Sequence, residues 1–485
     1  MILSRRVVSL WPGAALLAAA LLAVVPLFAR ADTTVNTHAQ RLTFDDRGNL
    51  VTAIACFPSC TGDGVRFRQY SERPAVEFAS RGAWQRSDWT DGVHRVLEFT
   101  GPNGARLTWR IPQQGYRLQL ELAGAPALTL RSGEPFRPRP AAGFGNWLEQ
   151  SRYVVIDGGD VRQVGLDEAA EAGEGAGDAG SVAEEFRGWA GYRNRFWALM
   201  AAPPAPAAVL LAAAEGRQDA ELVFERPADG EWSFYLGPVE PNALQRADPA
   251  LPDMMYAALW FWLRWICQGL FVLLSWIQAV IPAWGFAIIG LSLAVNVLMS
   301  PLSRIADRFQ QDVNETEARL APELQRIKRE YRGEEQAAKI LALYKTERVH
   351  PLYSLKSLVG VAVVIPVFIG AFDMLAENIH LLDTGFLWIA DLSSPDDLFD
   401  LPFSLPFFGS EFNLLPFLMT GLSFIASWLH KPPALTPELL RRQVRNMLLL
   451  AVFFFALFYT FPAGMVLYWT TNNLISVIKS LWARR

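Results

Sequence analysis

Charge is missing from long stretches of this 485-residue chain, and that absence sets its class. Val7–Ala29 holds 23 residues without a charged side chain, Trp265–Ser303 holds 39, Ser357–Phe372 holds 16, Phe412–Leu429 holds 18 and Asn446–Ile478 holds 33. A helix rises 1.5 Å per residue, so about 20 residues cross the hydrocarbon core. The sequence therefore predicts an integral membrane protein, and its two longest runs exceed single helices. Cysteine is scarce. Three residues exclude a disulfide scaffold and a clustered-cysteine metal site. Cys56 and Cys60 either pair in an oxidising compartment or stay separate thiols, and the spacing leaves both open. Five scattered histidines offer no metal-ligand spacing, so neither metal nor cofactor is expected. The net charge of -4 matters less than where the charges lie.

At the N-terminus Arg5 and Arg6, an apolar run and Ala29-Arg30-Ala31 imitate a cleaved signal peptide. The run is long for that, and Arg30 sits inside the cleavage-like motif, so residues 1–31 read as a retained anchor. Residues 32–250 read as an inserted all-β sandwich. Leu107, Trp109 and Ile111 alternate with Arg106, Thr108 and Arg110. Tyr116, Leu118, Leu120 and Leu122 alternate with Arg117, Gln119 and Glu121, and Trp232, Phe234 and Leu236 repeat the pattern. A period of two marks strands with one buried face. The acidic, Gly/Ala-rich stretch 167–181 reads as a mobile loop. No catalytic cluster stands out in the insert, so no enzymatic role is expected and a scaffold or spacer is the simplest reading.

Proline divides the long apolar runs. Pro282 separates an interfacial amphipathic helix within 251–283, carrying Arg264, from a span at 284–303. Pro462 and Gly464 split the last run into spans near 444–461 and 464–481. Residues 304–350, with ten basic and nine acidic side chains, read as a charged helical hairpin turning at Gly333. That balance is not a nucleic-acid patch. The 351–485 region then holds spans three to six. Its 379–410 connection carries five Asp and no Lys or Arg, whereas the 431–445 connection carries Lys431, Arg441, Arg442 and Arg445. Lys and Arg concentrate on the cytoplasmic side. Six spans, with both termini cytoplasmic and the β domain outside, satisfy the pattern.

Several stretches resemble the YidC family of membrane protein insertases, in the Gram-negative form with a large periplasmic domain. FPAGMVLYWTTNNLISVIK, Phe461–Lys479, is similar to that family's last span. VLMSPLSRIADRF, Val297–Phe309, resembles the exit from its second span, and ALYKTERVHPL, Ala342–Leu352, resembles the end of its hairpin with His350 in place of the usual Asn. GWAGYRNRFW, Gly188–Trp197, and FYLGPVE, Phe234–Glu240, resemble periplasmic-domain motifs. The resemblance implies a five-helix insertase core in a bacterial inner membrane. It implies action on nascent membrane proteins at a polar intramembrane groove, alone or beside the Sec translocon and ribosome, with the phospholipid bilayer as the other partner. A polar segment is costly to place in hydrocarbon, and a hydrated groove lowers that barrier.

Projected onto this chain, the resemblance puts Ser292, Asn296, Ser300, Thr420, Ser423, Tyr468, Trp469, Thr471 and Asn472 along the groove. It also exposes a departure. The family usually carries an Arg five residues before Pro301, and here that position is Asn296, which hydrogen-bonds but holds no charge. Asn296 either lines the groove or makes a helix–helix hydrogen bond inside the bundle. Lys356 either supplies the missing charge or snorkels to headgroups. A divergent paralogue, or an assembly scaffold that inserts nothing, stays open beside the insertase. A transporter is disfavoured by the absence of an obvious inverted repeat. A sugar-binding role for the insert would rest on fold analogy alone.

Overall fold

The computed structural model describes residues 32–482 apart from 62–63, 70–72, 79–81, 126, 137–140, 167–183, 214–219, 226, 351, 354, 356–357 and 430–436. The N-terminal anchor, the 167–181 loop and Lys356 therefore lie outside the described residues.

The alternating segments form strands, numbered in chain order, in two antiparallel sheets. The first runs β1 (Thr33–Asn36), β2 (Gln40–Phe44), β3 (Leu50–Phe57), β5 (Val76–Phe78), β10 (Ala127–Arg131), β17 (Ala220–Glu225), β16 (Ala207–Ala213), β13 (Glu184–Phe186), with β4 (Val65–Gln69) beside β3. The second runs β12 (Asp160–Gly165), β11 (Arg152–Asp157), β14 (Gly188–Arg193), β15 (Trp197–Ala202), β18 (Gly230–Pro238), β9 (Arg117–Ala123), β8 (Arg106–Pro112), β7 (His94–Thr100), β6 (Gln85–Asp91). Their facing sides share one core. Leu42, Phe44, Phe78 and Phe224 from the first sheet meet Trp109, Leu120, Trp232 and Phe234 from the second. This is the sandwich that the period-two pattern predicts. Cys56 and Cys60 are bonded, with Cα atoms 4.9 Å apart, which resolves the choice the spacing left open.

The second sheet is buried on its other side too. β15, WALMAA, is buried at nearly every residue, and Ala198, Met200, Val154, Ile156 and Tyr235 face away from the sandwich core. Helix α1 (Pro241–Ala247) and the turn Leu251–Met254 cover that face through Leu244, Leu251 and Met254. The same apolar cluster continues through Tyr256 to Cys267, Leu274, Ile288, Leu375, Phe386 and Tyr468 in the helical region. The β domain thus shares a core with the membrane helices rather than hanging from a spacer.

The helical region comprises α2 (Phe261–Val280), α3 (Trp284–Glu330), α4 (Gly333–Thr346), α5 (Leu358–Ala376), α6 (Leu414–Leu429), α7 (Pro437–Phe458) and α8 (Ala463–Trp482). Two helices, α2 and the apolar part of α3, are long and apolar enough to cross a membrane, and Val364–Ala376, Leu414–Leu429 and Val444–Phe458 are shorter apolar helices. α2 buries Leu263, Cys267, Leu270 and Leu274 and exposes Trp260, Phe261, Trp265 and Trp276, so its outer face carries the residues that favour a membrane interface. Arg264 does not face outward alone; it donates to the carbonyls of Ala257 (2.9 Å) and Leu259 (3.0 Å) at the start of α2.

The apolar segment from Trp284 and the first hairpin arm are one 47-residue helix, whereas the sequence predicts a boundary near Ser303. The change from apolar to charged side chains at Arg304 alters the surroundings of the helix but leaves its backbone ladder intact. Pro301 and Pro322 sit inside it, each without an N–H to donate. The hairpin turns where glycine predicts, with Gly333 at φ +62°.

Candidate functional site

Four polar side chains form a ladder between α3 and α8. Asn472 Oδ1 accepts from Ser292 Oγ at 2.9 Å and from the Asn296 amide. Asn296 Nδ2 also donates to the Ser292 carbonyl at 3.0 Å, and Asn472 Nδ2 donates to the Tyr468 carbonyl at 3.1 Å. At the end of the ladder the Lys479 ammonium donates to Asn296 Oδ1 at 2.9 Å. Helical spacing explains the alignment. Ser292 and Asn296 are four apart on α3, while Tyr468, Asn472 and Lys479 lie four and seven apart on α8 and share its face. Ser292 is buried and Asn296 half-buried, while Lys479 is exposed. The ladder therefore runs from the core of the bundle to its surface.

Asn296 does make the helix–helix hydrogen bond that the sequence offered as one of its two roles. The cation beside it is Lys479, from the last helix. In the sequence Lys479 figures only as the end of the Phe461–Lys479 stretch, although its place seven residues after Asn472 on one helical face is a readable signal.

The remaining expected site residues divide. Ser423 Oγ accepts from Asn473 Nδ2 at 2.7 Å, joining α6 to a different side of α8. Thr420, one turn earlier on α6, keeps a buried hydroxyl oxygen without a partner among the described residues. Thr471 is buried and bonds back to the Leu467 carbonyl at 2.8 Å. Ser300 is half-exposed on α3. Trp469 is turned into an aromatic cluster, with ring centroids 4.7 Å from Phe368, 5.4 Å from Phe454 and 5.7 Å from Phe458. Of the nine residues assigned to one surface, Ser292, Asn296, Tyr468 and Asn472 belong to the α3–α8 ladder, Ser423 to the α6–α8 contact and Trp469 to this cluster, while Ser300, Thr420 and Thr471 join none of them.

The ladder is aligned from outside the bundle. The α8 N-terminus begins with Ala463 N donating to the Ser394 carbonyl (2.7 Å) and Gly464 N to the Leu392 carbonyl (2.8 Å). That segment is in turn held by the β domain. Arg195, just before β15, donates from Nη1 to the Ser393 carbonyl (2.8 Å) and to Glu149 (2.9 Å), and from Nε to the Ala376 carbonyl at the end of α5 (2.5 Å). Cationic donors suit the unsatisfied carbonyls at a helix C-terminus. Burial lowers the pKa of Arg195, while Glu149 raises it. Arg193 pairs with Glu377 at 3.0 Å and donates to the Met254 carbonyl at 2.6 Å. Asp396 caps α6 from the same connection, accepting from Leu414 N (2.8 Å) and Leu415 N (2.9 Å). Both arginines lie in the GWAGYRNRFW stretch, so that motif joins the β domain to α5 and α8.

Residues 276–485 match the model of the family described as 60Kd inner membrane protein. Over 250 residues the chain is 35% identical to the membrane protein insertase YidC of Cellvibrio japonicus, a match covering 51% of this chain and 40% of that protein. Over 255 residues it is 31% identical to the membrane protein insertase YidC of Syntrophobacter fumaroxidans, covering 52% and 43%. The chain thus spans about two fifths of these curated relatives' length. A solved structure of an active YidC insertase aligns over 96% of this chain and 98% of that one, at 16% identity and a TM-score of 0.35, too low to bear on the fold. Over its helical region, then, the chain is similar to the YidC membrane protein insertases and to the family described as 60Kd inner membrane protein.

Proposed function

We propose that this protein inserts and assists the folding of other membrane proteins, receiving their polar segments along the α3–α8 ladder. The observation that carries the reading is the chain Ser292–Asn472–Asn296–Lys479, a set of polar side chains among apolar helices that ends in an exposed cation. Polar groups among membrane helices are costly unless they serve a site or pair with one another. A segment sliding past could exchange its own amides and carboxylates for these partners, which lowers the cost of leaving water. The apolar part of the segment then partitions into lipid. In this reading six spans cross an inner membrane, with the β domain outside and both termini and the α3–α4 hairpin in the cytoplasm. Nascent membrane proteins and the bilayer are its partners, with the Sec translocon and ribosome beside it.

One observation favours a second reading. Asn296 and Asn472 satisfy each other, as the bracing pair of an assembly scaffold would. Photo-crosslinkers at Asn296 and Asn472, combined with insertion of a short-tailed single-span substrate into proteoliposomes, separate the two. An insertase gives transient crosslinks and a raised inserted fraction. Stable contact with mature partners and no gain in insertion rejects it. Because the ladder ends in an ammonium, insertion should favour acidic translocated tails, and Lys479→Gln should remove most of that preference, about tenfold in rate. An unchanged preference in this variant would exclude Lys479 as the attracting charge. Labelling near residue 395 from outside and near residue 330 from inside tests the orientation, and the reverse pattern overturns it.

A further inference from the structure

A cleft lies away from the ladder, where the β domain meets the bundle. It encloses about 560 Å³. Its two walls differ in chemistry. Phe368, Ile369 and Phe372 of α5 line one wall with Leu457 of α7 and Phe461. Arg152 and Gln163 of the second sheet form the rim, and Asp373 stands on α5 one turn beyond Ile369. Asp373 differs from its neighbour in sequence. Glu377 is paired with Arg193 and accepts from Tyr256 N, whereas no hydrogen bond engages the Asp373 carboxylate among the described residues, and the charge facing it from the rim is that of Arg152.

A carboxylate at the mouth of an apolar-walled cleft asks for a cation with an apolar body. The geometry points to a site for one aminophospholipid, its ammonium at Asp373, its phosphate beside Arg152, and an acyl chain along Phe368, Ile369 and Phe372. The walls decide between lipid and polypeptide. An extended chain along Phe368, Ile369 and Phe372 would leave the backbone N–H and C=O groups facing that wall without partners, because the wall is aromatic and aliphatic. An acyl chain has no such groups. The rim decides between headgroups, because with the phosphate beside Arg152 a glycerol-headed lipid brings only a neutral diol to Asp373 and no cation to pair with it. The site is independent of the insertion reading and needs only that α5 and α7 lie in a bilayer.

The test uses the full chain purified in mild detergent and exposed to vesicles of phosphatidylethanolamine and phosphatidylglycerol in equal parts, with retained lipid identified by native mass spectrometry. The expected result is retention of phosphatidylethanolamine over phosphatidylglycerol by about tenfold, an ion pair's worth of roughly 1.4 kcal/mol. Asp373→Asn should abolish that preference. Ile369→Trp, which fills the cleft and leaves Asp373 in place, should lose bound lipid of both kinds while keeping the thermal midpoint. The site is overturned if Asp373→Asn keeps the wild-type preference, or if wild type holds both lipids equally. It is also overturned if a photo-crosslinker at Phe372 captures polypeptide rather than lipid during membrane-protein synthesis. Should Asp373→Asn not fold, Ile369→Trp decides alone, since loss of lipid supports the site and retention rejects it.

Discussion

Replacing Arg195 by Ala should open the junction between the β domain and the helices without unfolding either. The guanidinium makes three charge-assisted hydrogen bonds, to Ala376 O at 2.5 Å, Ser393 O at 2.8 Å and Glu149 at 2.9 Å, and lies 4.6 Å from the Phe196 ring centroid. Each such bond contributes about 1.5–3 kcal/mol net, and losing the side chain also releases the cost of burying a cation. The balance is a loss of about 3–5 kcal/mol, the range expected when one partner leaves a buried ionic network. Glu149 is the lesser contributor. Its side chain is 37% exposed, which screens its half of the pair, but its loss removes the main counter-charge of a buried cation, so Glu149→Ala should cost about 1–2 kcal/mol, less than Arg195→Ala. Most of the loss therefore belongs to the two backbone carbonyls. Arg195→Lys should fall between, since a single ammonium cannot replace a planar fork of donors.

Amide hydrogen exchange in detergent micelles reads this out, because protection reports the free energy of local opening. Peptides spanning 372–396 should exchange about two to three and a half orders of magnitude faster in Arg195→Ala. Peptides from β8, which carries the buried Trp109, should be unchanged. If the 372–396 segment loses no more protection than in Glu149→Ala, the carbonyls are not what Arg195 holds. If β8 loses as much protection as the junction, Arg195 stabilises the sandwich itself, and the coupling argument fails.

Further outcomes follow from other contacts. A Cβ at Gly285 would come within 2.1 Å of the buried Phe386 ring, so Gly285→Ala should destabilise the α3 entry by about 1–3 kcal/mol, visible as a lower thermal midpoint. Serine at both Cys56 and Cys60 should cost about 2 kcal/mol, the entropy of a five-residue loop, and should loosen the Phe57 ring, whose centroid lies 5.0 Å from that of His380. His380 stacks on Trp284 with centroids 4.8 Å apart, and burial lowers its pKa below 6.5, with Glu240 opposing. The unfolded chain then binds the proton more readily, so this contribution is complete above 6.5 and is lost as the pH falls towards the lowered value. His380→Phe should flatten the acid limb of thermal stability. Asn296→Arg should destabilise the bundle by bringing a guanidinium to the Lys479 ammonium, and adding Lys479→Gln should recover it, with a coupling of about 1–2 kcal/mol in a thermal double-mutant cycle.

The sequence made local features readable and hid the tertiary ones. Alternation identified β8 and β9 because each has one face on the sandwich core and polar side chains on the other. β15 shows no alternation because both of its faces are buried. Its unbroken apolar run was the available sign that something covers the outer sheet, but the run does not say that α1 and the membrane helices share the cover. Arg193 and Arg195 flank Asn194 with the polar spacing of a solvent-facing strand edge. Only the folded chain shows that they reach α5 and the 393–394 turn. Gly333 and Pro462 marked turns through their own backbone limits, whereas Arg304 marked a change of surroundings and not an end of helix.

The placement of Lys479 changes what a missing arginine means. A cation at position 296 would be fixed to α3 by a short reach, while Lys479 begins seven residues, about 10.5 Å of helical rise, beyond Asn472 and returns along a flexible four-carbon stem. Asn296 holds that ammonium with one hydrogen bond, a partner worth about 1.5–3 kcal/mol, which an incoming carboxylate can match. The charge is therefore exchangeable: it can rest on Asn296, pair with an acidic segment, or swing to the headgroups. If the proposed insertion holds, loss of a fixed charge need not mean loss of attraction for acidic tails; it would convert a permanent site into one that binds and releases at the cost of a single hydrogen bond. The neutral Asn296–Asn472 pair keeps the helices in register while the charge is away.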